Sequence, residues 1–152
     1  RHFHPVQPGV IEGAAIKCED IGAAARRHIP ILINLAVIVP ASLGAHIGLT
    51  LAMAPPAGAA LKCVVDFFGP TLSPPLVGSR VSLPPVQIHH GKKDLIVSIH
   101  DSERLVAELE AAGKVRGVGY EFLSYAQQGH GFTGADFVSS RATAVAFVKA
   151  AL

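Results

Sequence analysis

Residues 31–54 read ILINLAVIVPASLGAHIGLTLAMA, and this stretch decides the fold. Ile31 to Val39 is rich in β-branched residues and does not alternate with polar ones. That is the pattern of a strand buried on both faces, as in a parallel sheet. Ser42-Leu43-Gly44 then makes a sharp break. Leu43 to Ala54, built from small residues and leucine, suits a packed helix, and Pro55-Pro56 ends it. A strand, a tight turn and a helix in this order open a βαβ unit.

The alternation continues outward. Leu61 to Phe68 (LKCVVDFF) reads as a strand closed by Gly69-Pro70, and the Pro-rich residues 69–85 read as a long surface loop. Val86 to His90 (VQIHH) is a short strand ending at Gly91. Ser102 to Ala112 is an amphipathic helix with Leu105, Val106 and Leu109 on one face, stopped by Gly113. Tyr120 to Tyr125 is a further strand, and Phe137 to Leu152 a final helix. On the N-terminal side, residues 1–18 read as irregular, with room for a short strand or turn. Glu19 to His28 has acidic residues first and basic residues last, which suits the helix dipole, and Pro30 closes it. Strands alternating with helices predict an α/β fold: one domain over residues 1–152, a three-layer sandwich around a mostly parallel sheet.

Composition narrows the function classes. Of the 152 residues, 50% are hydrophobic and 16% charged, which excludes a disordered chain. A net charge of +2, with the basic residues scattered, gives no footprint for nucleic acid. Cys18 and Cys63 cannot form a disulfide framework, and Cys63 lies mid-strand, where it reads as a small core residue. From Ile29 to Leu61 there is no Asp, Glu, Lys or Arg, so a membrane span has to be weighed. The run is broken by Pro30, Asn34, Pro40, Pro55 and Pro56, and no basic block flanks one side of it. A buried strand and a buried helix give the same hydropathy. The first residues carry no apolar core of a secretory signal, so a cytoplasmic location is expected.

In open parallel sheets, ligands sit beyond the carboxyl ends of the strands. Three residues of one chemistry fall there: Ser42 after the strand at 31–39, Asp94 after that at 86–90, and His130 after that at 120–125. A serine hydroxyl needs a base to become a nucleophile, and imidazole titrates near neutrality. A carboxylate holds the imidazole in the required tautomer. The chain order Ser, Asp, His is that of the α/β-hydrolase triad. The N–H of Leu43, at the start of the helix, would face a developing oxyanion. Each residue also has a plainer reading. Ser42 could cap the helix that follows it, Asp94 could serve its turn, and a loop histidine is often structural. His89 and His90 suggest a metal, but neighbours in a strand point to opposite faces. No metal or other cofactor is expected, and His2 and His4 are assigned nothing.

Residues 61–152 resemble the dienelactone hydrolase family of α/β-hydrolases, through VVDFFGP at 64–70, the HHGKKD stretch within 83–109, and YEFLSYAQQGHGF at 120–132. The run IVPASLGAHIGLTLAMA at 38–54 resembles the family's nucleophile elbow and the helix after it. The resemblance implies a hydrolase of a small ester or lactone with Ser42, Asp94 and His130 as its triad. Three departures stand out. Pro40 replaces the first glycine of the G-x-S-x-G elbow, Ser42 stands where the family's name-giving enzymes carry cysteine, and 41 residues precede Ser42 where the family has more. The fold is therefore expected in a form abbreviated at its N-terminus. A catalytically weak unit of this fold, serving as a binding or assembly module, is the alternative function.

The later strands can cover one side of the strand at 31–39. Its other side would be an apolar edge containing Ile31, Ile33, Val37 and Val39, with no charge to protect it. Pro5 and Pro8 cannot donate to a ladder there. A homo-oligomer that buries this edge is expected. Light scattering at low micromolar concentration checks it: an assembly larger than one chain supports the expectation, and a monodisperse monomer removes it.

Overall fold

The computed structural model describes residues 36–55, 60–71 and 83–152. The expected helix at 19–28, residues 31–35 of the first strand and most of the Pro-rich loop lie outside these. The elements are β1 (Ala36–Ile38), α1 (Leu43–Met53), β2 (Leu61–Phe67), β3 (Val86–Gly91), α2 (Ile99–Ala111), β4 (Tyr120–Tyr125) and α3 (Gly134–Ala151). The strands form one parallel sheet in the order β1-β2-β3-β4. This is the α/β architecture expected from the sequence. Among the described residues, β1 has a neighbour on one side, β2.

The register places Val64 opposite Val86, and Val86 opposite Tyr120, so these three share a face. With Ile88 they pack against Leu49 and Ala52 of α1 and Leu105 and Leu109 of α2. Complete burial of Leu49, Leu105 and Leu109 contributes about 1.5–3 kcal/mol each. The opposite face carries Cys63, Val65, Phe67, Gln87 and His89, and α3 covers it. Cys63 is fully buried, as a small core residue should be.

Two helices begin earlier than their apolar periodicity indicates. α2 starts at Ile99 because Ser98 caps it: the Ser98 Oγ accepts the His100 N–H at 3.3 Å. α3 starts at Gly134, a residue that ordinarily discourages helix, directly after the extended Thr133. Here the Gln128 side chain accepts the Thr133 N–H at 2.9 Å and donates to Asp136 at 2.8 Å, fixing the first turn from outside the helix.

Asp66 is the one acidic residue inside β2, and it is 1% exposed. Its Oδ1 accepts the Gly69 N–H at 2.9 Å. Gly69 fits because it lacks a side chain: a Cβ there would lie 2.4 Å from the Ala45 Cβ and 2.7 Å from Asp66 Oδ1. Burial pushes the Asp66 carboxyl up to about 7, against the opposing bond from Gly69. The raised value means the folded state holds a proton that the unfolded chain gives up near 3.8. The associated stability is complete below that pH and is lost as pH rises through 7. Asp66→Asn replaces the buried acid by a neutral amide with the same acceptor. The variant should match the wild type near pH 4, gain on it progressively up to pH 7 and keep a constant advantage above. Denaturant melts across pH check this; an advantage independent of pH would contradict the account.

Candidate active site

The site is built at the carboxyl ends of the strands. Ser42 occupies the turn between β1 and α1 with φ 53° and ψ −134°, a left-handed conformation that a non-glycine residue rarely adopts. Two backbone bonds hold it there. The Ser42 N–H donates to the Phe67 carbonyl at 2.9 Å, and the Phe67 N–H donates to the Pro40 carbonyl at 3.1 Å. Pro40 is accommodated by Gly48 on the facing helix: a Cβ there would meet Pro40 Cγ and Ile38 Cγ2 at 2.7 Å. Ser42 stands at the N-cap position of α1, yet its side chain makes no capping bond. The hydroxyl instead meets His130 Nε2 at 3.0 Å.

His130 Nδ1 lies 2.8 Å from Asp94 Oδ2. The ionised carboxylate only accepts, so Nδ1 carries the proton and Nε2 is left to accept from the Ser42 hydroxyl. Asp94 does double duty. Its Oδ1 accepts the N–H groups of Ile96 at 2.8 Å and Val97 at 2.9 Å, which makes it the turn residue that its context suggested. Burial alone would raise its pKa, but the Val97 N–H, the His130 imidazole and the Ile96 N–H outweigh burial and hold the carboxyl below its ordinary value. The structure thus brings Ser42, His130 and Asp94 into one hydrogen-bonded chain. Leu43 is the first residue of α1, where a helix supplies no acceptor for the N–H.

Two buried histidines flank this chain on opposite faces of β3. The His90 Nε2 lies 3.0 Å from the Val97 carbonyl, which can only accept, so that nitrogen is protonated and Nδ1 accepts from the Ser102 hydroxyl at 2.7 Å. Its Nε2 also lies 3.5 Å from Asp94 Oδ2. His90 thus braces the turn that holds the acid. On the other face, His89 bonds Tyr125 at 2.8 Å and Gln87 at 2.9 Å, while Gln87 donates to Glu121 at 2.8 Å. Burial pushes the His89 imidazole down to about 4. Beyond the metal that strand geometry argues against, the sequence alone assigns neither histidine a role. Their place immediately before Gly91 and Asp94 was the available signal for His90; nothing local points to the His89 network.

The loop carrying His130 is fixed to β3. The Lys93 N–H donates to the Gln128 carbonyl at 2.9 Å, and the Lys92 N–H to the Tyr125 carbonyl at 2.8 Å. Gly91 lies so close that a Cβ there would come within 2.3 Å of the Gln128 carbonyl oxygen and 2.7 Å of that of Gly129. Both obstacles are backbone, so they cannot rotate away. Gly91→Ala should therefore cost about 1–3 kcal/mol of stability. Hydrogen exchange should speed up over residues 126–131. Unchanged melting and exchange would show that the loop yields without strain.

No helix among the described residues is long and apolar enough to cross a membrane. None of the curated proteins matches the chain. Solved structures do. An α/β hydrolase from a Medee basin deep-sea metagenome, MGS-M1, superposes with a TM-score of 0.60 at 15% identity, over 76% of this chain and 53% of its own. Esterase PE8 gives 0.61 at 26% identity, over 76% and 50%. Thermogutta terrifontis esterase 2, phosphorylated by paraoxon, gives 0.54 at 19% identity, over 72% and 50%. This chain spans about half the length of each. The fold is therefore that of the α/β hydrolases. The family profile named for dienelactone hydrolase matches residues 41–150, a span that holds Ser42, Asp94 and His130 together with β2, β3 and β4, and the chain belongs to the dienelactone hydrolase family.

Proposed function

We propose that this chain is a serine hydrolase that cleaves a small carboxylic ester or lactone through an acyl-enzyme. The observation that carries the reading is the continuous path from the Ser42 hydroxyl through His130 to Asp94, with links of 3.0 and 2.8 Å. His130 Nε2 takes the hydroxyl proton as Ser42 Oγ attacks the substrate carbonyl carbon. Asp94 keeps the ring oriented and stabilises the imidazolium. The Leu43 N–H faces the developing oxyanion, assisted by the positive end of α1. The imidazolium then gives its proton to the departing alkoxide, and the ester bond breaks. Water repeats the sequence on the acyl-enzyme: His130 takes its proton, the acid is released and Ser42 is restored.

Membership of the family supports hydrolysis, and likeness to esterase PE8 supports an ester as substrate. A second reading, a catalytically weak module of this fold, draws on Pro40 standing where the elbow's first glycine is expected. One variant separates the two. Wild type should be labelled by a fluorophosphonate at Ser42 and should turn over a short-chain aryl ester. Ser42→Ala should lose both while its melting temperature stays close to that of the wild type, because the hydroxyl caps nothing. Absence of labelling in the wild type favours the module. Full activity in Ser42→Ala assigns the chemistry to another group.

A further inference from the structure

Phe68 is the second non-glycine residue in the described chain with a left-handed backbone, at φ 43°. Strain of this kind persists where the surroundings over-determine it. The surroundings do so here. The Phe68 N–H donates to the His89 carbonyl at 2.8 Å, and the next residue, Gly69, is bound to Asp66 and wedged against Ala45. A glycine at position 68 would meet the same backbone demand without strain. The chain holds a large aromatic ring there instead.

The position of that ring is specific. Its centroid lies 4.8 Å from that of the His130 imidazole, and 5.6 Å from Phe132. Its remaining surface lines an apolar groove of about 840 Å³ that runs between β1 and α3, with Val37, Ala41, Gly131 and Val148 among its walls. Ala41 and Gly131 are the chain neighbours of Ser42 and His130, so the groove adjoins the reacting groups. Phe68, with Phe132 packed beside it, puts aromatic bulk at that junction, and of the two only Phe68 carries the strained backbone. The volume falls within the roughly 300–1,000 Å³ typical of small-molecule sites.

We infer that Phe68 is a specificity-determining residue: its ring, set between His130 and the apolar groove, limits the size of the apolar arm of the ester that can reach Ser42. This rests on the proposed hydrolase reading and deepens it. The substrate class is then a compact apolar ester, and removal of the ring opens the groove to longer arms.

The test compares Phe68→Gly with wild type on two series, p-nitrophenyl esters from acetate to octanoate and acetate esters from butyl to octyl. Fluorophosphonate labelling of Ser42 reports whether each protein keeps its site. Phe68→Gly should raise the ratio of kcat/KM for the long substrate over the short one by about tenfold or more in at least one series, the scale of apolar size discrimination. Phe68→Asn, whose side chain also tolerates a left-handed backbone, should move the same ratio in the same direction and carries the test if the glycine variant fails to fold. Ratios within twofold of wild type in both series, with Ser42 still labelled, overturn the inference while leaving the hydrolase reading intact. A wild type that is neither labelled nor active on any ester removes both.

Discussion

The backbone of Phe67 ties the site to the sheet. Its N–H reaches Pro40 and its carbonyl receives the Ser42 N–H, so the end of β2 grips the chain on both sides of Ala41. One residue later, Phe68 is tied to β3 through the His89 carbonyl. These bonds lace the carboxyl ends of three strands together. They also sit beside the two strained residues, Ser42 and Phe68, each left-handed without being glycine. A turn this tight presents the serine hydroxyl outward and starts α1 immediately behind it. Without the lacing, relaxation of Ser42 toward ordinary backbone angles would swing Oγ away from His130. The strain at the site is thus balanced by sheet hydrogen bonds, which cannot be lost singly without opening the end of the sheet.

His130 comes from the other half of the sheet, and buried polar contacts place it. His90 fastens the 94–98 turn by bonding the Val97 carbonyl and Ser102, and Asp94 then presents one oxygen to that turn and the other to His130. On the opposite face, the Glu121–Gln87–His89–Tyr125 path is satisfied with the His89 ring neutral: Gln87 donates to Glu121, leaving its oxygen to accept from His89 Nε2, so Nδ1 accepts from the Tyr125 hydroxyl. Protonation of His89 would replace an acceptor by a donor facing that hydroxyl. This agrees in direction with the lowered pKa that burial imposes. A satisfied buried network of this kind is rigid, and a half-satisfied one would be costly.

Much of this arrangement could be read from the chain, for a simple reason. Each of Ser42, Asp94 and His130 directly follows a strand whose composition is unmistakable, and parallel strands bring their carboxyl ends to one side. Tyr120 to Tyr125 and the β3 run came through with their limits intact or nearly so, because apolar, β-branched and aromatic residues end abruptly at glycine or at a turn. What was hidden depended on contacts between distant segments. The start of α3 at Gly134 is set by Gln128, a side chain from the preceding loop, and no propensity scale contains that. The tolerance of Pro40 depends on Gly48, eight residues on and one strand–helix contact away. Phe68 looked like the last residue of a strand, since the backbone angle that distinguishes it arises from bonds to β3 and the packing of Gly69.

The paired histidines of β3 explain how a contact spanning 88 residues, from Ser42 to His130, can be held at 3.0 Å. Strand side chains alternate faces, so a slip of one residue in the pairing of β3 would exchange His89 and His90. His89 would then face α2, away from Tyr125 and Gln87, and His90 would leave Ser102 and the Val97 carbonyl. Each would be a buried imidazole without its partners, at a cost of about 1–3 kcal/mol for every unsatisfied group. An apolar pair at 89 and 90 would fill either face comparably and discriminate far less between the registers. The histidines therefore act as a register key. Because the Asp94 turn follows β3 directly and the His130 loop is pinned to it at Gly91, that key sets the distance between the imidazole and the serine carried by β1.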